Sequence, residues 1–191
     1  MRVFLATFLT PSNQAFYLHL GHQLLKRHAN VLRAIPADSA HITYAFISEL
    51  HETVLCDLVT AISETTRTWH AFEVELASPH VVRSAGMPRL VCADLVRGAT
   101  EVTRLTADLC TTARTISPDL RASRAPHVTL ARFRRHAARS DAQAISSSLS
   151  HVESRVDWVM AVQVVASVLT PSGPVYTRMG EMPLGADGST A

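Results

Sequence analysis

The spacing of apolar residues changes along the chain and marks successive elements. Val3 to Leu9 is an apolar, β-compatible run ended by Pro11-Ser12-Asn13. From Gln14 to His28, Phe16, Leu20, Leu24 and Leu25 recur at helical spacing, with Ser12 or Asn13 as the expected cap. Pro36-Ala37-Asp38-Ser39 reads as a turn and His41 to Ile47 as a strand. Glu49 to Arg67 predicts a helix with Leu55, Leu58, Val59 and Ile62 on one face. Phe72, Val74 and Leu76 alternate with Glu73 and Glu75, the pattern of a half-buried strand. Ser78 to Pro88 reads as a loop and Leu90 to Leu95 as a short apolar strand. Thr100 to Thr115 predicts a helix, with Val102, Leu105 and Leu109 on one face.

A second, similar series follows. Ser117-Pro118 opens a loop that runs to Pro126. His127 to Phe133 reads as a strand, Asp141 to Leu149 as a short helix and Val156 to Leu169 as one long β-rich run. Pro171-Ser172-Gly173-Pro174 predicts a tight turn, and Val175 to Met179 a short returning strand. The order is that of an α/β or α+β chain with two similar halves and no linker between them. A length of 191 residues suits one domain, or two small lobes sharing a core. The expected organisation is one bilobal domain over 1–183 and a flexible tail over 184–191.

Composition narrows the classes. Hydrophobic residues make up 47% and charged residues 18%, as in a globular enzyme. A net charge of +2 excludes a polybasic protein that holds nucleic acid by bulk charge. Lys26 is the only lysine among 18 basic residues. The apolar runs fall short of the ~20 residues a membrane helix needs, and the N-terminal run is too short for a signal peptide. Cys56, Cys92 and Cys110 are far apart and form no Cys-x-x-Cys pair, which argues against a disulfide scaffold or a thiolate zinc site. Buried free thiols in a reducing cytoplasm are the expectation. His19 and His22 share a helix face without a third ligand, and the other histidines outside the motifs below show no ligand-like arrangement.

His-x-Thr occurs three times: His41-Ile42-Thr43, His51-Glu52-Thr53 and His127-Val128-Thr129. With 10 His and 18 Thr in the chain, chance alone gives roughly one. Context separates them. His41 and His127 each open a β-prone run, HITYAFI and HVTLARF, where residues i and i+2 share a face. His51-Glu52-Thr53 falls in a helical pattern, where they do not. Two facing strands of the first kind would set two imidazoles and two hydroxyls around a small cavity. One neutral imidazole can take a proton from water, and the other, protonated, can give one to a leaving oxygen. The hydroxyls of Thr43 and Thr129 can hydrogen-bond phosphoryl oxygens as charge grows on them.

Paired His-x-Thr strands are the signature of the 2H phosphoesterases, and the chain resembles their RNA 2′,3′-cyclic phosphodiesterase (2′-5′ RNA ligase) family. RVFLATFL resembles the family's first strand, AHITYAFI and PHVTLARF its two motifs, MPRLVCADL its central strand and SVLTPSGPVYTRMGEMPL its closing hairpin. The resemblance implies an α+β, bilobal fold: two antiparallel sheets facing a central cleft across a pseudo-twofold axis, with helices outside. It implies hydrolysis of RNA 2′,3′-cyclic phosphate ends to 2′-phosphates, with no cofactor and no metal. It makes His41 the proton donor and His127 the acceptor, an order that a symmetric site easily reverses. It also carries over Phe46 as a base-stacking residue and Arg132 as a phosphate ligand. Strict strand parity would aim both away from the cavity, so each can reach it only if the strand ends or bulges there. Tyr44, Ala45, Ser48 and Cys92 depart from the family's usual residues without removing a catalytic group.

Six arginines between Arg121 and Arg139, with no acid among them, bracket His127 and read as an RNA-backbone track or as a solvated face. The expected partners are RNA 2′,3′-cyclic phosphate ends, tRNA fragments among them, or small cyclic nucleotides; the expected state is a cytoplasmic monomer. Two rival readings stay open. One is the same chemistry on a cyclic mononucleotide or ADP-ribose 1″,2″-cyclic phosphate. The other is an RNA-end binding module without turnover.

Overall fold

The structure, a computed structural model, describes residues 1–35, 39–170 and 173–185. The chain runs β1 (Val3–Phe8), α1 (Pro11–His28), β2 (Leu32–Ala34), β3 (His41–Ile47), a 3₁₀ turn (Glu52–Val54), α2 (Leu55–Thr66), β4 (Phe72–Leu76), β5 (His80–Ser84) and β6 (Met87–Arg97). It continues through α3 (Ala99–Arg114), β7 (Arg121–Ala122), β8 (His127–Phe133), α4 (Arg139–Leu149), β9 (Arg155–Val159), β10 (Ala161–Thr170) and β11 (Gly173–Pro183). The strands pair antiparallel in the order β11-β10-β1-β3-β8-β6-β4-β9, with β7 beside β3, β2 beside β8 and β5 beside β6. This is the α+β architecture expected, a curled sheet with helices behind it.

The two halves repeat one arrangement and lean on each other. The first runs β1-α1-β2-β3 and the second β6-α3-β7-β8. β2 pairs with β8 and β7 pairs with β3, so each short strand crosses to the other half. α1 follows, packing against β2 and β8, while α3 packs against β3 and β7. The core therefore sits between the helices and the back of the sheet. Ile42, Tyr44 and Ile47 from β3 and Val128 and Leu130 from β8 are buried there. Burial of apolar surface on this scale is the main favourable term in folding. Among the described residues, no helix is long and apolar enough to cross a membrane.

Several expected boundaries are corrected. The helix expected from Glu49 starts as a 3₁₀ turn at Glu52 and becomes α-helical at Leu55, so His51 stands outside it. The Ser78–Pro88 loop is a hairpin: Ala85 and Gly86, at φ 50° and 76°, turn β5 back onto β6. Two consecutive positive-φ residues match the twist of the flanking strands, and Ala at the first hides the turn from a reading based on Asn and Gly. The Val156–Leu169 run divides at Met160, β9 pairing with β4 and β10 with β1. α1 is preceded by Thr10 rather than Ser12 or Asn13, with Pro11 in its first turn. The Asp157 carboxylate accepts the Thr10 amide at 3.1 Å, an anion at the positive end of the helix. Leu184 is buried and the Gly185 amide donates to the Trp69 carbonyl, so the chain is still packed at the expected start of the tail. The expected turns at Pro36–Asp38 and Pro171-Ser172, and residues 186–191, lie outside the described residues.

Candidate active site

β3 and β8 meet at one rung, Ile42 opposite Val128. Both side chains are fully buried, so the motif residues on either side of them face the other way, out of the core. Carried one residue further in each direction, the antiparallel register brings His41 toward Thr129 and Thr43 toward His127. The two strands even share one sequence of buried and partly buried positions.

A bulge in each strand decides what else reaches this face. On β1, Leu5 pairs with Ala45 and Ala6 with Thr43, leaving Tyr44 as the extra residue. On β6, Val91 pairs with Ala131 and Cys92 with Thr129, leaving Leu130 extra. Two consecutive buried residues result in each strand, and the alternation is inverted beyond them. Phe46, opposite Phe4, and Arg132, opposite Leu90, therefore lie on the same face as the histidines and threonines. Phe46 is 48% exposed there, with its ring 6.0 Å from that of Phe4. Tyr44, turned inward, is fully buried; its hydroxyl lies 2.7 Å from Thr7 Oγ1, which itself donates to the Ala161 carbonyl.

The two imidazoles are held alike. His41 Nδ1 lies 2.5 Å from the Ser39 carbonyl oxygen and His127 Nδ1 lies 3.0 Å from that of Ala125. A carbonyl oxygen only accepts, so each Nδ1 carries a proton and Nε2 is left as the nitrogen that can work in the cleft. Aromatic rings surround His41: Phe4 at 5.0 Å, Phe8 at 5.3 Å and Tyr176, edge-on, at 5.8 Å. Its approach loop is clamped by Gln14 of α1, whose amide donates to the Ala40 carbonyl at 2.6 Å and accepts the Ala40 amide at 3.0 Å. Burial, with Arg132 and His127 nearby, holds the His41 pKa down at about 4 against the stabilising Ser39 contact. In the free protein His41 is therefore neutral at physiological pH.

Positive charge gathers beside the motifs. Arg33 stands opposite Arg132 across β2 and β8. Burial, together with Arg33 and Arg89, disfavours the charge of Arg132, and Tyr176 offsets this. An anion bound here would relieve that repulsion. Arg178 lies over the Phe8 ring at 4.4 Å. Past Phe8 and Arg178 a cavity of about 530 Å³ opens, lined also by Leu18, Trp158, Met160 and Gln163. The Arg121–Arg139 run does not form one track. Arg121, opposite Phe46, and Arg132 lie on the cleft face, whereas Arg134 donates to the carbonyls of Ala29 and Leu32.

The structure thus gathers His41, Thr43, Phe46, His127, Thr129 and Arg132 on one face. The residue reading missed Phe4, Phe8, Gln14, Arg33 and Arg89, and noticed Tyr176 only within the closing hairpin. β1 is apolar at every position but Thr7, so no alternation marks Phe4 and Phe8; the others come from distant segments. One expectation is corrected. His80 does have ligand-type neighbours: its ring and the side chains of Cys92 and Asp94 bring their ligand atoms within 4.8 Å of one another. Burial and the Asp94 carboxylate push the Cys92 thiol up to about 12. The signal was Cys92-x-Asp94 on one strand face, but its pairing with His80 needed the hairpin register.

The sequence pattern of the 2′-5′ RNA ligase superfamily matches residues 22–165. An Aquifex aeolicus protein named RNA 2′,3′-cyclic phosphodiesterase is 23% identical over 153 residues, 79% of this chain and 81% of its own. An Aeropyrum pernix protein of the same name is 24% identical over 159 residues, covering 82% and 89%. The crystal structure of TT0787 from Thermus thermophilus superposes with a TM-score of 0.77 at 23% identity, over 98% of this chain and all 100% of that one. At that identity the likeness is one of fold.

Proposed function

Because the chain belongs to the 2′-5′ RNA ligase superfamily, we propose that it hydrolyses RNA 2′,3′-cyclic phosphate ends to 2′-phosphates, using His41 and His127 as an acid–base pair. The observation that carries this reading is the two-fold repetition about the Ile42–Val128 rung: two histidines with matched tautomers and two threonines on one cleft face. The names of the Aquifex and Aeropyrum relatives support the same substrate class.

In the reaction, water attacks phosphorus in line with the 3′-oxygen. His127 takes the proton from water as the new P–O bond forms. The P–O3′ bond breaks, and His41 gives its Nε2 proton to the departing oxygen, leaving a 2′-phosphate and a 3′-hydroxyl. Thr43, Thr129 and Arg132 hydrogen-bond the non-bridging oxygens, where charge accumulates. The donor role requires a protonated His41, which burial disfavours in the free protein. The phosphate's negative charge, set between the imidazoles and Arg132, supplies the compensation. Phe46 offers its exposed ring to the base. The reverse reaction, a cyclic phosphate joined to a 5′-hydroxyl, would use the same groups to make a 2′-5′ linkage.

The test is turnover of a short RNA ending in a 2′,3′-cyclic phosphate, in excess EDTA, by wild type, His41→Ala and His127→Ala. A 2′-phosphate product that collapses in both variants supports the proposal. A 3′-phosphate product means that the substrate lies the other way round. No turnover on RNA or on cyclic mononucleotides overturns it and leaves an end-binding module. Faster turnover of the mononucleotide than of the oligonucleotide would favour a small-nucleotide substrate.

A further inference from the structure

The face that carries His127 and Thr129 continues across β6 into β5. Asp94 stands opposite His127 and Cys92 opposite Thr129; across the next gap, His80 stands opposite Cys92. An imidazole, a thiol and a carboxylate therefore meet on adjoining rungs. Cys92 Sγ lies 3.6 Å from Asp94 Oδ1 and 4.0 Å from His80 Nε2, and His80 Nε2 lies 3.5 Å from Asp94 Oδ2. Tetrahedral zinc, with bonds of about 2.3 Å to sulfur and about 2.0 Å to nitrogen or oxygen, sets its ligand atoms about 3.3–3.6 Å apart. With one ligand atom from each residue the three lie within 4.8 Å of one another, so a side-chain rotation closes the cluster to zinc spacing. Cys92 is buried at 1% exposure, while the side chains of His80 and Asp94 are roughly half exposed. An ion would enter from the solvent side and meet the sulfur at the base. The hydrolytic reading uses none of the three.

We propose that His80, Cys92 and Asp94 bind a borderline-soft divalent transition-metal ion, Zn²⁺, and that the bound ion inhibits the enzyme. On binding, the Cys92 thiol releases its proton to solvent as the S–Zn bond forms. Thiolate and carboxylate balance the ion's charge, and a sulfur–nitrogen donor set discriminates against Mg²⁺ and Ca²⁺. Three protein ligands leave one position of a tetrahedral ion open. An ion held between β5 and β6 stands one strand from His127 and Thr129, the partners of Asp94 and Cys92 on β8, and competes for the groups that would handle water and phosphate. Binding stands independently of the proposed activity; the inhibition rests on it. The contrasting account is an exposed His80–Asp94 contact above a buried thiol, with no ion.

Co²⁺ titration of the reduced full chain tests the binding. The expected result is one equivalent of bound Co²⁺ with a near-ultraviolet thiolate charge-transfer band, displaced by Zn²⁺. Cys92→Ser should remove the band, His80→Gln should weaken binding about ten-fold or more, and Cys56→Ser, at the exposed cysteine, should leave both unchanged. If Cys92→Ser fails to fold, His80→Gln and Asp94→Asn, on the exposed side, carry the test. No band in wild type, or a band that survives Cys92→Ser, overturns the site. Zn²⁺ at stoichiometric concentration should then lower hydrolysis of the cyclic phosphate by wild type and not by His80→Gln. A cobalt band with hydrolysis insensitive to Zn²⁺ overturns the inhibition alone. A band in a protein that hydrolyses nothing leaves the site standing while the proposed activity falls.

Discussion

Ile42 faces Val128 across the rung that joins β3 to β8, and neither side chain reaches solvent. The pair is the pivot about which the two motifs are related. Truncating Ile42 to Ala should cost about 2–4 kcal/mol of stability, and Ile42→Val about 1 kcal/mol. Activity per folded molecule should fall in Ile42→Ala and recover in Ile42→Val, because the valine keeps the strands seated. Urea denaturation combined with active-site titration would check this; equal specific activity in the two variants would detach the rung from catalysis.

The order of the two histidines is open to a chemical test. A substrate with sulfur at the bridging 3′ position releases a thiolate, which needs no proton donor. His41→Ala should regain most of its lost rate on that substrate and His127→Ala should not. The opposite pattern would assign the donor to His127.

His41 also ties stability to pH. Its folded pKa is about 4 and its ordinary value 6.5, so the unfolded chain binds the proton more readily. The stability linked to neutral His41 is fully present above pH ~6.5 and drains away as pH falls toward 4. Relative to His41→Asn, wild type should lose up to about 3 kcal/mol over that window. Unfolding midpoints measured at intervals across it should converge with falling pH, and parallel curves would contradict the assigned burial effect.

Gln14 fixes the backbone just before His41 with two hydrogen bonds to Ala40. Gln14→Met keeps the volume and removes both. The expected effect is a fall in kcat of about ten-fold with KM nearly unchanged, the mark of a misplaced group rather than a lost contact. An increase in KM alone would make Gln14 part of the binding surface instead.

Phe46 and Arg132 occupy equivalent positions in β3 and β8 and should separate binding from chemistry. Phe46→Ala should cost about 1 kcal/mol of stability, since the ring is about half exposed, and should raise KM for oligonucleotides. Arg132→Lys should lower kcat/KM on every substrate by about ten-fold or more, because an ammonium cannot reproduce the guanidinium fork. Steady-state kinetics on an oligonucleotide and a cyclic mononucleotide would distinguish the two effects.

The motif strands were legible because HITYAFI and HVTLARF each combine β-prone residues with a histidine and a threonine at period two. The positions of Phe46 and Arg132 were not. Their facing depends on bulges at Tyr44 and Leu130, and nothing in a run of apolar residues announces which one will stand unpaired. The resemblance named them, and the register supplies the reason. Tyr176, Gln14 and Arg33 reach the cleft through pairings and packing far apart in the chain, which spacing cannot show. The arginine run illustrates the converse: Arg132 and Arg134 are two residues apart, but one joins the cleft and the other ties down the start of β2 at Leu32.

β1 lies between β3 and β10, and β11 closes on β10, so His41 is enclosed by Phe4 and Phe8 from the start of the chain and Tyr176 from near its end. A ribosome adding about 5–20 residues per second leaves seconds between the emergence of His127 and that of Tyr176. During that interval the nascent polypeptide already carries both histidines without the pocket around the first. The surroundings of His41 on which the proposed chemistry rests are therefore complete only once the last hairpin has been translated and closed.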